Sequence, residues 1–335
     1  MQQVIRHIWE VRHMSKRAKQ FWQIWDRVGI IGILLVIVVV YGILDPRIVA
    51  PTQLVTALSR SAVSGIAAAG MMFAIVSGGF DLSVGSILSL VSCVVAVNIM
   101  AGRGTLLSIL MAIAVATVCG LINGLLITKL KIQAFVATLA TQLAFAGITL
   151  VYSHKAVQLT SKYNAQIKTL STGRVFGFLP LPIALLILAY IICYFVYHYT
   201  PFGTKTRAIG SNETAARTTG IRVDRTLILV FVVTAVTAAF AGILNTAQVS
   251  TGNPQLGMGF ELDAITAVVL GGTALAGGKG NVIGTLVGAI LVTFVKMGLN
   301  MMGVGEAYQK MAVAIVLIFA LTINGIKIIM QKEGQ

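Results

Sequence analysis

Ser77-Gly78-Gly79-Phe80-Asp81-Leu82-Ser83-Val84-Gly85-Ser86 interrupts a long apolar tract. The apolar run 54–77 precedes it and the run 82–100 follows it, each close to the roughly 20 residues that a helix needs to cross a bilayer core. Part of the stretch recurs. Gly79-Phe80-Asp81-Leu82 returns as Gly259-Phe260-Glu261-Leu262, 180 residues later and again just before an apolar run. Gly124-Leu125 returns as Gly298-Leu299, 174 residues later, each near the end of such a run. A six-residue difference between the two offsets is what one shortened loop would produce.

Ten apolar spans follow from this starting point: 28–44, 54–77, 82–100, 106–128, 133–151, 181–199, 227–247, 262–277, 282–301 and 309–326. Composition agrees. The 335 residues are 57% hydrophobic and only 10% charged, with a mean hydropathy of +0.91. A soluble domain carries about 25% charged residues, so a water-soluble fold is excluded. The expectation is an all-α integral membrane protein. It divides into a cytoplasmic tail 1–27, a membrane domain 28–327 with an inner loop 200–226, and a cytoplasmic tail 328–335.

The net charge of +15 raises nucleic-acid binding as a possibility, but the charges sort by topology instead. With the N-terminus in the cytoplasm, 16 of the 25 Lys and Arg residues fall on cytoplasmic segments, as the positive-inside rule requires. Basic loops beside anionic lipid account for the charge, so no nucleic-acid partner is expected. The loop 152–180 lies outside in this arrangement, although it carries Lys155, Lys162, Lys168 and Arg174. An even number of spans returns the C-terminus to the cytoplasm. The third span then starts inside and the eighth outside, so spans 2–5 and 7–10 form an inverted repeat. Inverted repeats with glycine-broken segments at matched positions point to a translocation site.

Several residues stand out for function. Gly78, Gly79, Phe80 and Asp81 on one side, and Gly271 and Gly272 on the other, form the paired breaks. Asp81 is an acid near membrane depth, which marks a functional site; it also has the position of an N-cap bonded to the amide of Ser83 or Val84. Asn123, Thr141 and Gln142 supply neutral donors and acceptors of the kind that sugar hydroxyls need, or bond neighbouring helices. Glu261 and Asp263 face outward, as lining of an outer vestibule, as contacts for a docked partner, or as a solvated cap pair. In the inner loop, Asn212 suits an N-cap, Glu213 the first turn and Gly220 the stop, which predicts a short helix over 213–219. The small surface of Ala215 and Ala216 fits a partner's cleft. Gly120 with Gly124, and Gly280 with Gly284 and Gly288, place small residues on one helix face for close packing.

Catalysis and metal binding find no support. Cys93, Cys119 and Cys193 each lie in an apolar run, and His7, His13, His154 and His198 are dispersed. A phosphate-binding loop needs Gly, four residues, then Gly-Lys-Ser/Thr. Around Lys279 the first position is Thr273 and the last is Gly280, so both ends of the pattern fail. Energy for active transport has to come from elsewhere.

The breaks at 77–86, the stretch Ala208-Ile209-Gly210-Ser211-Asn212-Glu213-Thr214-Ala215-Ala216, the stretch 259–265 and Val269-Leu270-Gly271-Gly272-Thr273-Ala274-Leu275-Ala276-Gly277-Gly278-Lys279-Gly280 together resemble the permease subunits of ribose-type ABC sugar importers. The likeness spans roughly 28–327. It implies a bacterial inner-membrane permease that works as a pair, receives a monosaccharide from a periplasmic binding protein and is driven by a cytoplasmic ATPase subunit. ATP and Mg²⁺ would be bound by that partner, leaving no cofactor in this chain. The resemblance assigns ATPase coupling to Gly210, Asn212, Glu213, Ala215 and Ala216. Phe80 stands where members of the family commonly have Ile. The competing expectation is a secondary transporter driven by an ion gradient, although its spans would want central ionisable residues.

Overall fold

The computed structural model describes residues 16–332. The predicted tails therefore lie partly outside the described residues, at 1–15 and 333–335. The chain is a helical bundle. In order it forms α1 (Lys16–Leu44), a 3-10 turn (Pro46–Val49), α2 (Pro51–Val76), α3 (Val84–Met100), α4 (Thr105–Thr128), α5 (Ala134–Tyr152), β1 (Val157–Gln158), α6 (Ser161–Thr172), β2 (Arg174–Val175), β3 (Leu179–Pro180) and α7 (Leu181–Tyr199). Then follow α8 (Pro201–Ser211), α9 (Glu213–Thr218), α10 (Val223–Val249), β4 (Thr251–Gly252), α11 (Phe260–Leu270), α12 (Val282–Met301) and α13 (Glu306–Lys332). The strands are two-residue bridges, β1 with β4 and β2 with β3, both antiparallel.

Among the described residues six helices are long and apolar enough to cross a membrane: α2, α4, α5, α7, α10 and α12. Their arrangement separates two environments. α2 and α10 form the centre, with α10 packed on α2, α3 and α4. α4, α5 and α7 sit at the periphery and leave Leu106, Leu143, Val151, Ile191 and Phe195 exposed. Contiguous exposed apolar surface on this scale is a liability in water and the ordinary condition of a face in lipid. The chain is an all-α, multi-pass membrane protein.

Close packing of the centre depends on small residues. A Cβ on Gly120 would stand 2.7 Å from the Phe231 carbonyl oxygen, and one on Gly124 would stand 2.7 Å from the Ile228 Cα. Gly284 and Gly288 of α12 meet the backbone of Gly271 and Ala267 in the same way. The Gly120–Gly124 and Gly284–Gly288 spacings are therefore close-contact faces, whereas Gly280 lies in the turn before α12 and not on that helix face.

Two ends of the bundle can be told apart. One carries the breaks 77–83 and 271–281 together with α8 and α9. The other carries α6, the β1–β4 bridge and the segment 250–259. The structure departs from the sequence reading in three places. The predicted span 262–277 is not one helix: α11 stops at Leu270 and a turn occupies 271–281, because Gly271 lies against the α12 backbone and Gly272 takes φ +84°. Its 11 residues reach about 16 Å, roughly half a bilayer core. The preceding segment is irregular and runs down α3, where the Gly257 amide donates to Ser89 Oγ at 2.8 Å. Such backbone survives at depth because protein covers it. Finally, the loops 152–180 and 200–226 hold two helices that the sequence reading left as loop, α6 and α8.

Candidate functional site

The break after α2 is held by a chain of polar side chains. Asp81 is fully buried. Its Oδ1 accepts from the Ser83 amide at 3.0 Å and from Ser83 Oγ at 2.5 Å. Asn123 of α4 donates to Ser83 Oγ at 2.7 Å, and Thr141 of α5 donates to Asn123 Oδ1 at 2.7 Å. One line of hydrogen bonds thus runs from the break through α4 to α5. Phe80 is anchored beside it, its carbonyl accepting from Thr138 Oγ1 at 3.0 Å. The bond from the Ser83 amide closes a turn ahead of α3, whose N-cap is Ser83 and has no side-chain cap bond, so Asp81 is not the cap of this helix; its bonds extend instead through Asn123 and Thr141. Asp81 Oδ2 is buried with no partner.

Gln142, the next residue on α5, turns to a different neighbour. Its Nε2 donates to Glu261 Oε1 at 3.0 Å. Glu261 is only 7% exposed, and its Oε2 is buried without a partner. Asp263, two positions on and across the helix, pairs with Lys296 of α12. A solvated cap pair is therefore not what these acids form. Each is folded against another helix, and neither partner was readable from the sequence, since they lie 119 and 33 residues away.

The two glycine breaks meet at one end of the bundle. The Gly278 amide donates to the Val76 carbonyl at 2.8 Å, which joins the end of α2 to the turn after α11. Gly210, at the end of α8, fits between them. A Cβ on Gly277 would stand 2.8 Å from the Gly210 carbonyl oxygen, and one on Gly78 would stand 3.9 Å from Gly210 Cα. Gly78, Gly272 and Gly277 take φ of +87°, +84° and +84°, where a side chain is strained. Gly79 packs against Ala134 and Phe231. The Gly280 amide adds a bond to Tyr197 Oη at 2.8 Å, and Arg207 of α8 stands over that ring at 5.0 Å.

The short helix forms as its sequence dictates. Asn212 Oδ1 accepts from the Ala215 amide at 2.9 Å, and Gly220 follows the last turn with φ +82°. The sequence placed Ala215 and Ala216 on one outward surface; the structure separates them. Ala215 is exposed, whereas Ala216 is 4% exposed and packs with Ile209 and Val223. A step of about 100° per residue turns one outward and the next inward. Arg217 then joins Glu213 at 2.8 Å to Asp224 of α10 at 2.9 Å. The bonds from Glu213 and then Asp224 push the Arg217 guanidinium above its ordinary value.

α8 was missed because its pattern is short and polar, yet a signal existed. Thr200 caps the Gly203 amide at 3.4 Å, Pro201 occupies the first turn, and Gly203, Thr206 and Ile209 face inward at helical spacing. Among the described residues no group of three or more His, Cys, Asp or Glu side chains gathers to hold a metal.

A family described as the branched-chain amino acid transport system permease component matches residues 53–321. The ribose import permease RbsC of Bacillus subtilis (strain 168) is 40% identical over 293 residues, 87% of this chain and 90% of the relative. The ribose import permease RbsC of Escherichia coli (strain K12) is 36% identical over 296 residues, 88% and 92% of the two chains. The L-arabinose transport permease AraH of Escherichia coli (strain K12) is 32% identical over 313 residues, 93% and 94% of the two chains. No solved structure matches the chain.

Proposed function

Since the chain belongs to the branched-chain amino acid transport system permease component family, we propose that it is the membrane-spanning subunit of an ATP-driven importer of a monosaccharide. Support for a sugar comes from the relatives matched over nearly their whole length, which are named for ribose and L-arabinose. The chain lies in the bacterial inner membrane with both termini and the α8–α9 end in the cytoplasm, and works as a pair with a second permease copy. A cytoplasmic ATPase binds ATP and Mg²⁺. A periplasmic sugar-binding protein delivers cargo at the α6 end, and Glu261 and Asp263 respond to that docking.

The observation that carries this reading is the seat of Gly210 between the two breaks. Movement of α9 by an ATPase reaches Val76 and Gly278 through direct backbone contact, so α8 and α9 push on both breaks at once. In this mechanism the breaks, with Gly78, Gly79, Phe80, Asp81, Gly271 and Gly272, form the inner gate. Asn123, Thr141 and Gln142 tie that gate to α4 and α5. Spans 2–5 and 7–10 act as inverted halves that rock about the gate.

The test is uptake of labelled D-ribose, L-arabinose and D-allose by vesicles holding the permease, its ATPase and its binding protein. The expected result is uptake of at least one sugar that requires ATP. Uptake by the permease alone, driven by a proton or Na⁺ gradient, would establish the secondary transporter instead.

A further inference from the structure

A cavity of about 610 Å³ lies beside α11 on the side away from the Gln142–Glu261 bond. It is walled by α2, α10, α11, α12 and α13 and reaches the α6 end of the bundle, where Arg60 and Asn300 are exposed at its margin. Its size falls within the usual few hundred to one thousand Å³ of small-molecule sites. We propose that this cavity is the outward-facing binding site for the transported monosaccharide; the assignment rests on the importer reading above.

The lining chemistry fits a neutral polyol. Its acids are already matched by bases: Asp263 by Lys296 and Glu306 by Lys310. The remaining polar surface is Arg60, the hydroxyls of Ser64, Thr266 and Thr293, and amides. Gln248 Nε2 is committed to the Ser59 carbonyl at 2.9 Å, which leaves its Oε1 as an acceptor. Asn245 Oδ1 is buried and has no partner. A buried acceptor without a partner costs free energy and needs an explanation; a sugar hydroxyl, which donates one proton and accepts two, provides it. Phe260 stands in the same wall and offers an apolar face to sugar C–H groups. An amino acid would need a free cation and a free anion together, and among the lining groups the carboxylates are paired.

Position supports the same conclusion. Ser64 is 13 residues into α2 and Val292 nine from the end of α12, so the cavity floor lies about 14–20 Å below the surface at 1.5 Å per residue. Cargo delivered at the α6 end would rest there, above the gate formed by the two breaks.

The experiment uses the assembled importer in vesicles. Cys93, Cys119 and Cys193 are buried, so Asn300→Cys introduces one accessible thiol at the cavity mouth. A membrane-impermeant thiol reagent is applied with no additive, with the sugar that wild type transports, and with L-leucine. Thr172→Cys, at an exposed position at the end of α6, is the control. The expected result is at least fivefold slower labelling of Asn300→Cys with sugar, none with leucine, and no effect at the control. In parallel, Asn245→Leu should raise the KM for uptake at least tenfold with wild-type thermal stability, and Asn245→Asp should restore it. Sugar uptake without protection and without a KM change overturns the cavity assignment while leaving the importer reading intact. Protection by leucine alone, or a thiol that never labels, also overturns it. Absence of uptake for all three sugars overturns both.

Discussion

Arg217 Nη2 lies 2.9 Å from Asp224 Oδ1 and so binds α9 to the first turn of α10. Asp224 in turn stands 3.5 Å from Lys129 and from Lys131 in the loop between α4 and α5. Four charges therefore connect α9 to the helices that carry Asn123 and Thr141. Exposed ion pairs contribute only about 0–1 kcal/mol each, so the value of this link lies in direction rather than in stability. Asp224→Asn should leave thermal stability within about 1 kcal/mol yet raise the ATP consumed per sugar transported. Asp224→Glu, which keeps the charge between Arg217, Lys129 and Lys131, should hold that ratio near wild type. An unchanged ratio in Asp224→Asn would remove the link from the mechanism.

Ala215 and Ala216 should respond oppositely to enlargement. Ala215→Trp adds a ring to an exposed position and is expected to prevent co-purification of the ATPase from a chain that still folds. Ala216→Trp drives a ring between Ile209 and Val223, and overpacking of this kind costs about 1–3 kcal/mol. Thermal unfolding in detergent and a pull-down of the ATPase separate the two effects.

Gly210 should not tolerate a methyl group. A Cβ there would overlap the Val76 carbonyl oxygen and stand 2.6 Å from the Gly278 nitrogen. Gly210→Ala is expected to lower the unfolding temperature and abolish coupled uptake. Gly147→Ala in α5 meets nothing within 4 Å and should be neutral or stabilising by up to about 1 kcal/mol. Equal stability for the two variants would show that Gly210 is not tightly seated.

Asp81 separates charge from acceptor. Asp81→Asn keeps the oxygen that receives the Ser83 amide and hydroxyl, so stability should stay close to wild type. Asp81→Ala removes it and strands the Ser83 amide, at about 1–3 kcal/mol. Loss of uptake in a stable Asp81→Asn chain would assign the charge itself to transport. Retained uptake in Asp81→Asn, with loss confined to Asp81→Ala, would assign Asp81 to holding the break.

The sequence carried the long helices plainly because crossing a bilayer demands length and apolarity, and both are local properties. α2, α3, α4, α5, α7, α10 and α12 each coincide with one apolar run. The glycine breaks and the Asn212 cap were legible for the same reason, since a positive φ or a side-chain cap involves only a few consecutive residues. α11 was read as too long, because its end is set by contact between Gly271 and Gly284 of another helix. Glu261 was read as vestibule lining, as a partner contact or as a solvated cap, since nothing near it in sequence announces Gln142. The orientation of Ala216 needed Ile209 and Val223 in place.

The β1–β4 bridge has a mechanical corollary. Val157 and Gln158 are paired with Gly252 and Thr251, and α6 rests on α10 with Ile167 fully buried. The 153–180 segment is thus strapped to the strand of chain that descends into α11. A tug on that strap is delivered to Gly257, Phe260 and Asp263 without passing through any long helix, which makes the surface loop a lever on the interior.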